Sequence, residues 1–304
     1  MYTFETKTIK DNLQLYNFPK SIVIETSAYC NLKCPMCPQP FMTRPKGYMD
    51  IKIFEKIVNE VSRIAAETPL WLALLGEPLM NPARLIEMVK ISKSLGLSNI
   101  TLNTNGLLLT KEISKNLITE KLDKILISID AVKNSTYEKL RKGGDLYKLI
   151  DNINILLGLK KELNSPIKVI TQFIIMEENE LEVDTFKTFW IGKGTIVKIR
   201  PKLSWGNTIE AKNLALTYKD RTYPCPWLAR TASIHWSGKF TQCDFDFEGN
   251  YSPGDITKQT IEEVWNGEIL YRREKHWRGD FSHPLCKECK DWQVGRSLFF
   301  EEAL

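Results

Sequence analysis

Seven cysteines stand in two groups in this chain of 304 residues, and their spacing indicates metal-cluster chemistry. The first group lies within the run C-N-L-K-C-P-M-C and consists of Cys30, Cys34 and Cys37. The second group lies near the other end of the chain and consists of Cys225, Cys243, Cys286 and Cys289. Three thiolates can hold a four-iron cluster and leave one iron open, whereas four thiolates can close a cluster completely. An open iron together with a closed cluster implies redox or radical chemistry.

Zinc is the alternative metal for both groups. A structural zinc site needs four ligands, and no fourth Cys or His stands near the first group in the sequence. The second group fits zinc better, because it has four cysteines, two of which (Cys286 and Cys289) form a C-x₂-C pair. Zinc therefore remains an alternative metal for the second group. Disulfides are less expected, because the cysteine count is odd and clustered cysteines in a reducing compartment are more often ligands.

The composition excludes several classes of protein. Apolar residues make up 43% and charged residues 26% of the chain, as in ordinary soluble globular proteins. The net charge of +5 is too small a bias to indicate a nucleic acid or a membrane as partner. No apolar run of about 18 residues predicts a transmembrane helix, and the charged first residues lack the apolar core of a signal peptide. A cytoplasmic location is therefore expected.

Short apolar segments alternate with helical patterns over the first two thirds of the chain. The segments are rich in β-branched residues and apolar on both faces, as buried parallel strands are. The predicted strands are 21–26, 70–75, 99–104, 124–130, 168–176 and 196–200. The predicted helices are 51–67, 83–96, 110–121 and 146–163. Six repeats are fewer than the eight of a closed barrel, so the expected fold is α/β, a partial (β/α)6 barrel.

The pattern changes after Trp205. From Tyr223 onwards the sequence predicts short strands within 231–243, a glycine-rich turn at 247–256 and one helix at 260–277. This segment is too small for a large apolar core of its own, and a bound cluster would help to hold it together. The expected organisation is a lead-in at 1–20, the barrel at 21–205 and a small iron–sulfur domain at 215–304.

Polar turns follow successive predicted strands, on the side where parallel α/β folds place their active sites. Cys30 follows the first strand, so the first cysteine group occupies that loop. Gly76-Glu77-Pro78 follows the second strand, Thr104-Asn105-Gly106 follows the third, and Ser128-Ile129-Asp130 ends the fourth. Each short motif alone is more often a simple turn. In this order, behind a C-x₃-C-x₂-C loop, they resemble the motifs of the radical S-adenosylmethionine superfamily over roughly 21–202.

The resemblance implies that S-adenosylmethionine binds the open iron of a [4Fe-4S] cluster through its amino and carboxylate groups. One electron then yields a 5′-deoxyadenosyl radical, which removes a hydrogen atom from the substrate. Leu75 stands where the family often has a glycine, and this is a departure from the pattern. The implied contacts of the cofactor are Met36 near the adenine, Gly76, Glu77 and Pro78 near the methionine ammonium, and Thr104, Asn105, Ser128 and Asp130 in the region of the ribose and carboxylate.

The second cysteine group resembles the shortened twitch form of the SPASM domain. Gly238 and Cys243 fit its G-x₄-C pattern, and 254–256 and 261–266 resemble its G-N-I and L-E-E-I-W-N segments. The resemblance implies that Cys225, Cys243, Cys286 and Cys289 fully ligate one auxiliary [4Fe-4S] cluster. A full SPASM domain uses seven cysteines for two auxiliary clusters, so two clusters in all are expected here.

Within the superfamily, the layout resembles dehydrogenases of the 2-deoxy-scyllo-inosamine type. This implies oxidation of a secondary alcohol of a carbohydrate or aminocyclitol to a ketone, with the auxiliary cluster as electron acceptor. The cysteine count supports oxidation, because all seven are assigned to clusters and none remains to return a hydrogen atom. Arg200 and Lys202, at the end of the sixth strand, could bind a hydroxyl or phosphate of the substrate. Asp244 could take a proton from the substrate. For all three, an ordinary solvent-exposed charge is equally expected. The expected reductant is a flavodoxin or a ferredoxin-type protein.

The sequence leaves other functions open. A redox-neutral sugar epimerase would need another hydrogen donor, such as Tyr or Thr. Radical modification of a ribosomal peptide is less expected, because residues 1–20 are too few for a leader-binding domain. A molybdopterin-type cyclase is less expected, because the sequence ends in EEAL rather than in a double glycine. An electron-transfer protein would not explain the ordered cofactor turns.

Overall fold

The computed structural model describes residues 13–211, 221 and 223–292, and the backbone of 293 and of 298–300. Parts of the expected lead-in and C-terminal domain, namely 1–12, 212–220, 222, 294–297 and 301–304, lie outside the described residues. The strands are β1 (Ser21–Ile24), β2 (Leu70–Leu72), β3 (Ile100–Thr104), β4 (Lys124–Ser128), β5 (Lys168–Ile175), β6 (Ile196–Pro201), β7 (Thr231–Ile234), β8 (Lys239–Thr241), β9 (Gly254–Asp255) and β10 (Leu298–Phe300). They form one sheet in the order β10-β6-β5-β4-β3-β2-β1-β7-β8-β9.

Strands β1 to β6 are parallel and pair in chain order, which confirms the expected partial barrel. Five of the six strands begin at the predicted residue and β3 begins one residue later, while four strands end earlier than predicted and β6 ends one residue later. The fourth strand ends at Ser128, two residues before the predicted Asp130, because Asp130 has a φ of +67° and cannot continue an extended strand. The strands therefore stop where the loops that carry the polar motifs begin.

Six helices follow the parallel strands: Ile51–Ala65, Pro82–Ser94, Lys111–Thr119, Asn134–Leu140, Leu146–Glu162 and Val183–Gly192. Four of them begin at a side-chain cap, in which Asp50, Asn81, Thr110 or Asp145 accepts a backbone N–H of the first turn. The helices Asn134–Leu140 and Val183–Gly192 add to the four that the sequence predicts. In the helix Val183–Gly192, Phe186 packs against Phe173 of β5, with ring centroids 4.8 Å apart.

No helix in the described parts of the chain is both long enough and apolar enough to span a bilayer.

The C-terminal segment continues the barrel sheet. β7 pairs in parallel with β1, from Ser21 opposite Thr231 to Ile24 opposite Ile234, and β8 and β9 follow as antiparallel strands. The predicted helix at 260–277 is two helices, Ile261–Asn266 and Glu268–Trp277, because Gly267 has a non-helical ψ of −115°. Shorter helices lie at Pro226–Arg230 and Pro284–Lys287.

Many apolar residues of the C-terminal segment belong to the main core, whereas Cys243 and Phe245 form a separate small cluster with Leu203. Phe240 and Trp265 are fully buried in the same cluster of side chains as Ile24 of β1. The segment lacks a large core of its own, as its size predicts, and the barrel supplies what is missing. This shared packing holds the second cysteine group in a defined position relative to the first.

Candidate functional site

A cavity with about 790 Å³ of empty volume opens at the carboxyl ends of the parallel strands. It is lined by eleven of the predicted site residues: Cys30, Cys34, Met36, Cys37, Gly76, Glu77, Thr104, Asn105, Ser128, Arg200 and Lys202. The structure thus brings together loops from five strands, as the parallel topology requires. The predicted residues Pro78, Asp130 and Asp244 do not line the cavity.

The first cysteine loop forms one wall of the cavity. Cys34 is buried, and Cys30 and Cys37 are partly buried. Burial raises the pKa of Cys30 to about 11 and that of Cys37 to about 12. These thiols need a positive partner to become thiolates, and iron supplies that charge when a cluster binds. The donor set therefore fits a [4Fe-4S] cluster held by three cysteines.

Arg141 lies against this loop and is a site residue that the sequence analysis missed. Its Nη1 donates to Cys34 Sγ at 3.8 Å, a long contact, and its buried Nε has no hydrogen-bond partner among the described residues. A buried guanidinium N–H beside a cluster ligand fits an anion that is bound here, such as a cluster sulfide or a cofactor carboxylate. In sequence, Arg141 belongs to none of the recognised motifs and resembles any surface arginine.

Asp130 holds Arg141 in place. The carboxylate is fully buried and forms an ion pair with Arg141, and its second oxygen accepts the backbone N–H of Ile174 at 2.7 Å. Asp130 therefore reaches the cavity through Arg141 rather than by its own exposure. Its predicted role in direct cofactor contact stays a prediction.

The turn after β2 is fastened to the cysteine loop. A Cβ on Gly76 would lie 1.8 Å from the carbonyl oxygen of Ser27, so only glycine allows the two backbones to approach this closely. The backbone N–H of Glu77 donates to the carbonyl of Tyr29 at 2.8 Å. The glycine of this motif serves loop packing next to Cys30.

The carboxylate of Glu77 joins the turns after β2 and β3. It accepts hydrogen bonds from Thr104 Oγ1 at 2.7 Å, from the backbone of Asn105 at 2.7 Å and from the backbone of Leu79 at 3.0 Å. Burial raises the pKa of Glu77, and these donors oppose that shift. A carboxylate can accept about four hydrogen bonds, so one position remains for a cationic group such as an ammonium.

A chain of hydrogen bonds crosses the barrel interior; we call Asn103, Ser128, Gln172 and Arg200 the polar belt. Arg200 Nε donates to Gln172 Oε1 at 3.2 Å, and Gln172 Nε2 donates to Ser128 Oγ at 3.2 Å. Ser128 Oγ in turn donates to Asn103 Oδ1 at 3.3 Å. The belt spans β3 to β6 and lines the cavity with polar atoms. Burial lowers the pKa of Arg200 to about 10, so it stays charged at neutral pH.

Asp244 lies outside the cavity lining but within the electrostatic reach of Arg200. Its carboxylate accepts a hydrogen bond from Ser233 Oγ. Burial raises the pKa of Asp244 to about 6, while Ser233 and Arg200 act in the opposite direction.

The second cysteine group surrounds a common space. Burial, followed by the charges of Cys286, Cys225 and Cys289, raises the pKa of Cys243 well above its ordinary value. Arg221 Nη2 donates to the carbonyls of Cys286 and Cys289 at 3.2 and 3.1 Å, and its buried Nη1 has no partner in the described residues. In the described part of the chain no three His, Cys, Asp or Glu side chains converge on one metal ion. The mutual effect of the four thiols on the pKa of Cys243 requires that they lie near one another, as the ligands of one iron–sulfur cluster must.

Comparisons of the sequence agree with this geometry. The profile of the radical SAM superfamily matches residues 24–188, and that of the SPASM iron–sulfur cluster-binding domain matches residues 225–290. The tungsten-containing aldehyde ferredoxin oxidoreductase cofactor-modifying protein of Pyrococcus furiosus is 31% identical over 89% of this chain and 87% of its own length. The GTP 3′,8-cyclase of Alkaliphilus metalliredigens is 32% identical over 54% of this chain, and the match spans only 50% of that relative.

Solved structures share the fold. BtrN, in complex with AdoMet and 2-DOIA, has a TM-score of 0.64 at 18% identity, covering 90% of this chain and 93% of that one. SuiB of Streptococcus suis, bound to the precursor peptide SuiA, has a TM-score of 0.71 at 16% identity, covering 95% of this chain and 73% of that one. The chain therefore belongs to the radical SAM superfamily, with a SPASM domain for auxiliary iron–sulfur binding.

Proposed function

We propose that this radical SAM enzyme oxidises a secondary alcohol of a carbohydrate or aminocyclitol to a ketone. The observation that carries the proposal is that the described cavity wall offers no hydrogen atom to a substrate radical. All seven cysteines stand in the two cluster groups, and no tyrosine is among the residues that line the cavity. The hydroxyls of Thr104 and Ser128 already donate to Glu77 and Asn103. Net loss of hydrogen is then the simpler fate of the substrate.

The proposal assigns one [4Fe-4S] cluster to each cysteine group, within a barrel at 21–205 and an auxiliary domain at 215–304. When bound, S-adenosylmethionine and the clusters would supply a hydrogen-abstracting radical and an electron acceptor. Glu77 would bind the methionine ammonium at its remaining acceptor position, and Arg141 would bind the carboxylate next to Cys34. Pro78, Thr104, Asn105, Asp130 and Met36 would support these contacts through the turns that they form.

The chain's own residues would handle the substrate hydroxyl and its proton. Gln172 and Ser128 of the polar belt offer paired donors and acceptors at the spacing of neighbouring strands, which suits a polyol. The positive charge of Arg200 would favour loss of the hydroxyl proton through its field, without direct contact with the hydroxyl oxygen. Asp244, which lies outside the cavity lining but acts on Arg200, is the proposed final acceptor of the proton, to which water would have to carry it from the substrate.

Two similarities bear on the substrate class. BtrN was solved with 2-DOIA, and the match covers nearly all of both chains. SuiB was solved with a precursor peptide, but the match leaves a larger share of that protein uncovered. The first similarity favours a small polyol, and the second makes a peptide the rival that the experiment must test.

The experiment offers reconstituted, reduced enzyme a panel of sugars and aminocyclitols deuterated at the carbinol carbon, with a precursor-type peptide as a further arm. We expect one deuterium in 5′-deoxyadenosine and a product that has lost two hydrogens, with one cofactor consumed per product. The variant Cys34→Ala is the control and should give neither deuterated 5′-deoxyadenosine nor the oxidised product. Unlabelled substrate is also run in D₂O: a product that keeps the carbinol group and carries one solvent deuterium at the reacting carbon would identify an epimerase and refute the proposal.

A further inference from the structure

We propose that Arg200 and Lys202 form an anion site, which binds a carboxylate or phosphate group carried by the substrate. The inference rests on the proposed function, since it names the class of polyol that the enzyme would oxidise: a sugar acid or a sugar phosphate. Both residues stand at the carboxyl end of β6 and line the cavity.

The charges in the cavity wall are unbalanced. Three cations line it, Arg141, Arg200 and Lys202, and Glu77 is its one carboxylate among the described residues. Arg141 is already paired with Asp130, and Glu77 already accepts three hydrogen bonds from Thr104, Asn105 and Leu79. With Asp130 counted, three cations stand against two carboxylates, so the wall keeps an excess of about one positive charge, and neither Glu77 nor Asp130 forms an ion pair with Arg200 or Lys202.

Neither Arg200 nor Lys202 has a carboxylate within ion-pair distance in the part of the chain that the structure describes. Arg200 uses Nε on the neutral amide of Gln172, which leaves the two terminal nitrogens of its guanidinium fork for a ligand. Asp130, Asp291 and Asp244 influence Arg200, in that order, only at longer range, and each is bonded elsewhere, to Arg141, Ser204 and Ser233.

The cofactor does not remove this imbalance. A cluster with three thiolates carries about one negative charge when oxidised, and S-adenosylmethionine carries about one net positive charge through its sulfonium. These two charges offset each other at the cysteine wall. An anionic substrate would supply the negative charge that Arg200 and Lys202 lack, and partly buried cations are costly unless paired.

The surroundings of the pair fit the neutral part of such a substrate. Gln172 and Ser128 extend from Arg200 along the polar belt and can bind hydroxyl groups. The ring of Trp205 lines the cavity three residues after Lys202 and offers an apolar face for a sugar ring. Anion, hydroxyl and ring contacts thus lie side by side.

The test measures binding, separately from turnover. Holoprotein with oxidised clusters and saturating S-adenosylmethionine is dialysed to equilibrium against radiolabelled inorganic phosphate, so that nothing is cleaved and the cofactor site is filled. We expect Lys202→Met and Arg200→Met each to weaken phosphate binding by at least about tenfold.

Lys90→Met, which removes an exposed lysine on an outer helix, is the matched control and should bind phosphate as the wild type does. Circular dichroism and iron content verify that each variant folds. If Arg200→Met does not fold, the Lys202→Met variant alone decides the test.

Competition then identifies the anion. Glucuronate and glucose 6-phosphate are expected to displace phosphate at concentrations where glucose does not, and the stronger competitor shows which anion the site takes. Absence of phosphate binding, wild-type affinity in Lys202→Met, or equal competition by glucose would overturn the anion site. Phosphate binding together with a turnover product of unchanged mass would refute the oxidation and leave the anion site standing.

Discussion

The indole N–H of Trp205 donates to the carbonyl oxygen of Met36 at 3.2 Å. Met36 lies between two cysteines of the first group, and Trp205 begins the connection to the C-terminal segment. The ring of Trp205 meets Phe245, two residues after Cys243, in an edge-to-face contact with centroids 5.9 Å apart. The side chain of Trp205 therefore contacts both the loop of the first cysteine group and a residue next to the second cysteine group.

Replacement of Trp205 by Phe removes the N–H donor and keeps an aromatic ring against Phe245. We expect the stability to fall by about 1 kcal/mol, the net value of one hydrogen bond. We also expect the electron paramagnetic resonance spectrum of the reduced first cluster to change, because the carbonyl of Met36 loses its only described side-chain donor and the loop can shift.

Trp236 supplies the matched control for that variant. Its indole also donates to a backbone carbonyl, that of Pro45, at the same distance of 3.2 Å, but it does not line the cavity. Trp236→Phe should cost similar stability and leave the spectrum unchanged. If both variants give the wild-type spectrum, Trp205 does not position the loop.

Cluster content tests the assignment of the two cysteine groups. Anaerobically reconstituted protein should hold about eight irons and Cys286→Ala/Cys289→Ala about four, since each group would carry one cube. Iron, sulfide and zinc analysis of the purified proteins gives the answer. Stoichiometric zinc in the wild type, lost in the double variant, would show that the second group is a zinc site.

Local sequence signals predicted the barrel because they act within single elements. Buried parallel strands such as β4 and capped helices such as Ile51–Ala65 carry their signal in consecutive residues. The break at Gly267 was missed, because glycine inside a helical pattern does not reveal whether the helix continues. The parallel pairing of β1 with β7 was missed for another reason: about two hundred residues separate them, and no local pattern encodes that contact.

The residues of the candidate site also fall into those that local motifs predict and those that only the folded structure reveals. Cys30, Glu77 and Thr104 belong to motifs, and their convergence follows from the parallel topology once the strands are known. Arg141 was missed because its importance comes from contacts with Cys34 and Asp130, which lie far away or carry no spacing signal. Burial and partners, not residue type, make it a site residue.

The ion pair of Arg141 with Asp130 predicts a large effect of a single substitution. Arg141→Gln leaves the fully buried carboxylate of Asp130 without its charge partner, which should cost about 3–5 kcal/mol. Lys93→Met breaks the pair of Lys93 with Asp123, which is partly exposed and should cost about 0–1 kcal/mol. Urea unfolding of the anaerobic holoproteins compares the two.

Arg141 should also affect the cofactor. Arg141→Gln is expected to weaken equilibrium binding of S-adenosylmethionine, and Arg141→Lys should restore part of it because the positive charge returns. Wild-type cofactor affinity in Arg141→Gln would limit the role of this residue to stability.

Lys198 predicts how stability depends on pH. It stands on β6 with its ammonium 5.2 Å from the ring centroid of Trp71, and burial, with a smaller contribution from Arg200, lowers its pKa to about 7. The unfolded chain keeps the ordinary pKa near 10.5, so between these values the unfolded state binds more protons and stability rises with pH. The thermal midpoint of unfolding should therefore increase from pH 7 to about 9.

Lys198→Met should raise this midpoint most at pH 7 and flatten its rise with pH. Lys168→Met, at an exposed position of β5, is the control and should leave the slope as it is. A lower midpoint of Lys198→Met at pH 7 would show instead that the charge of Lys198 stabilises the barrel interior.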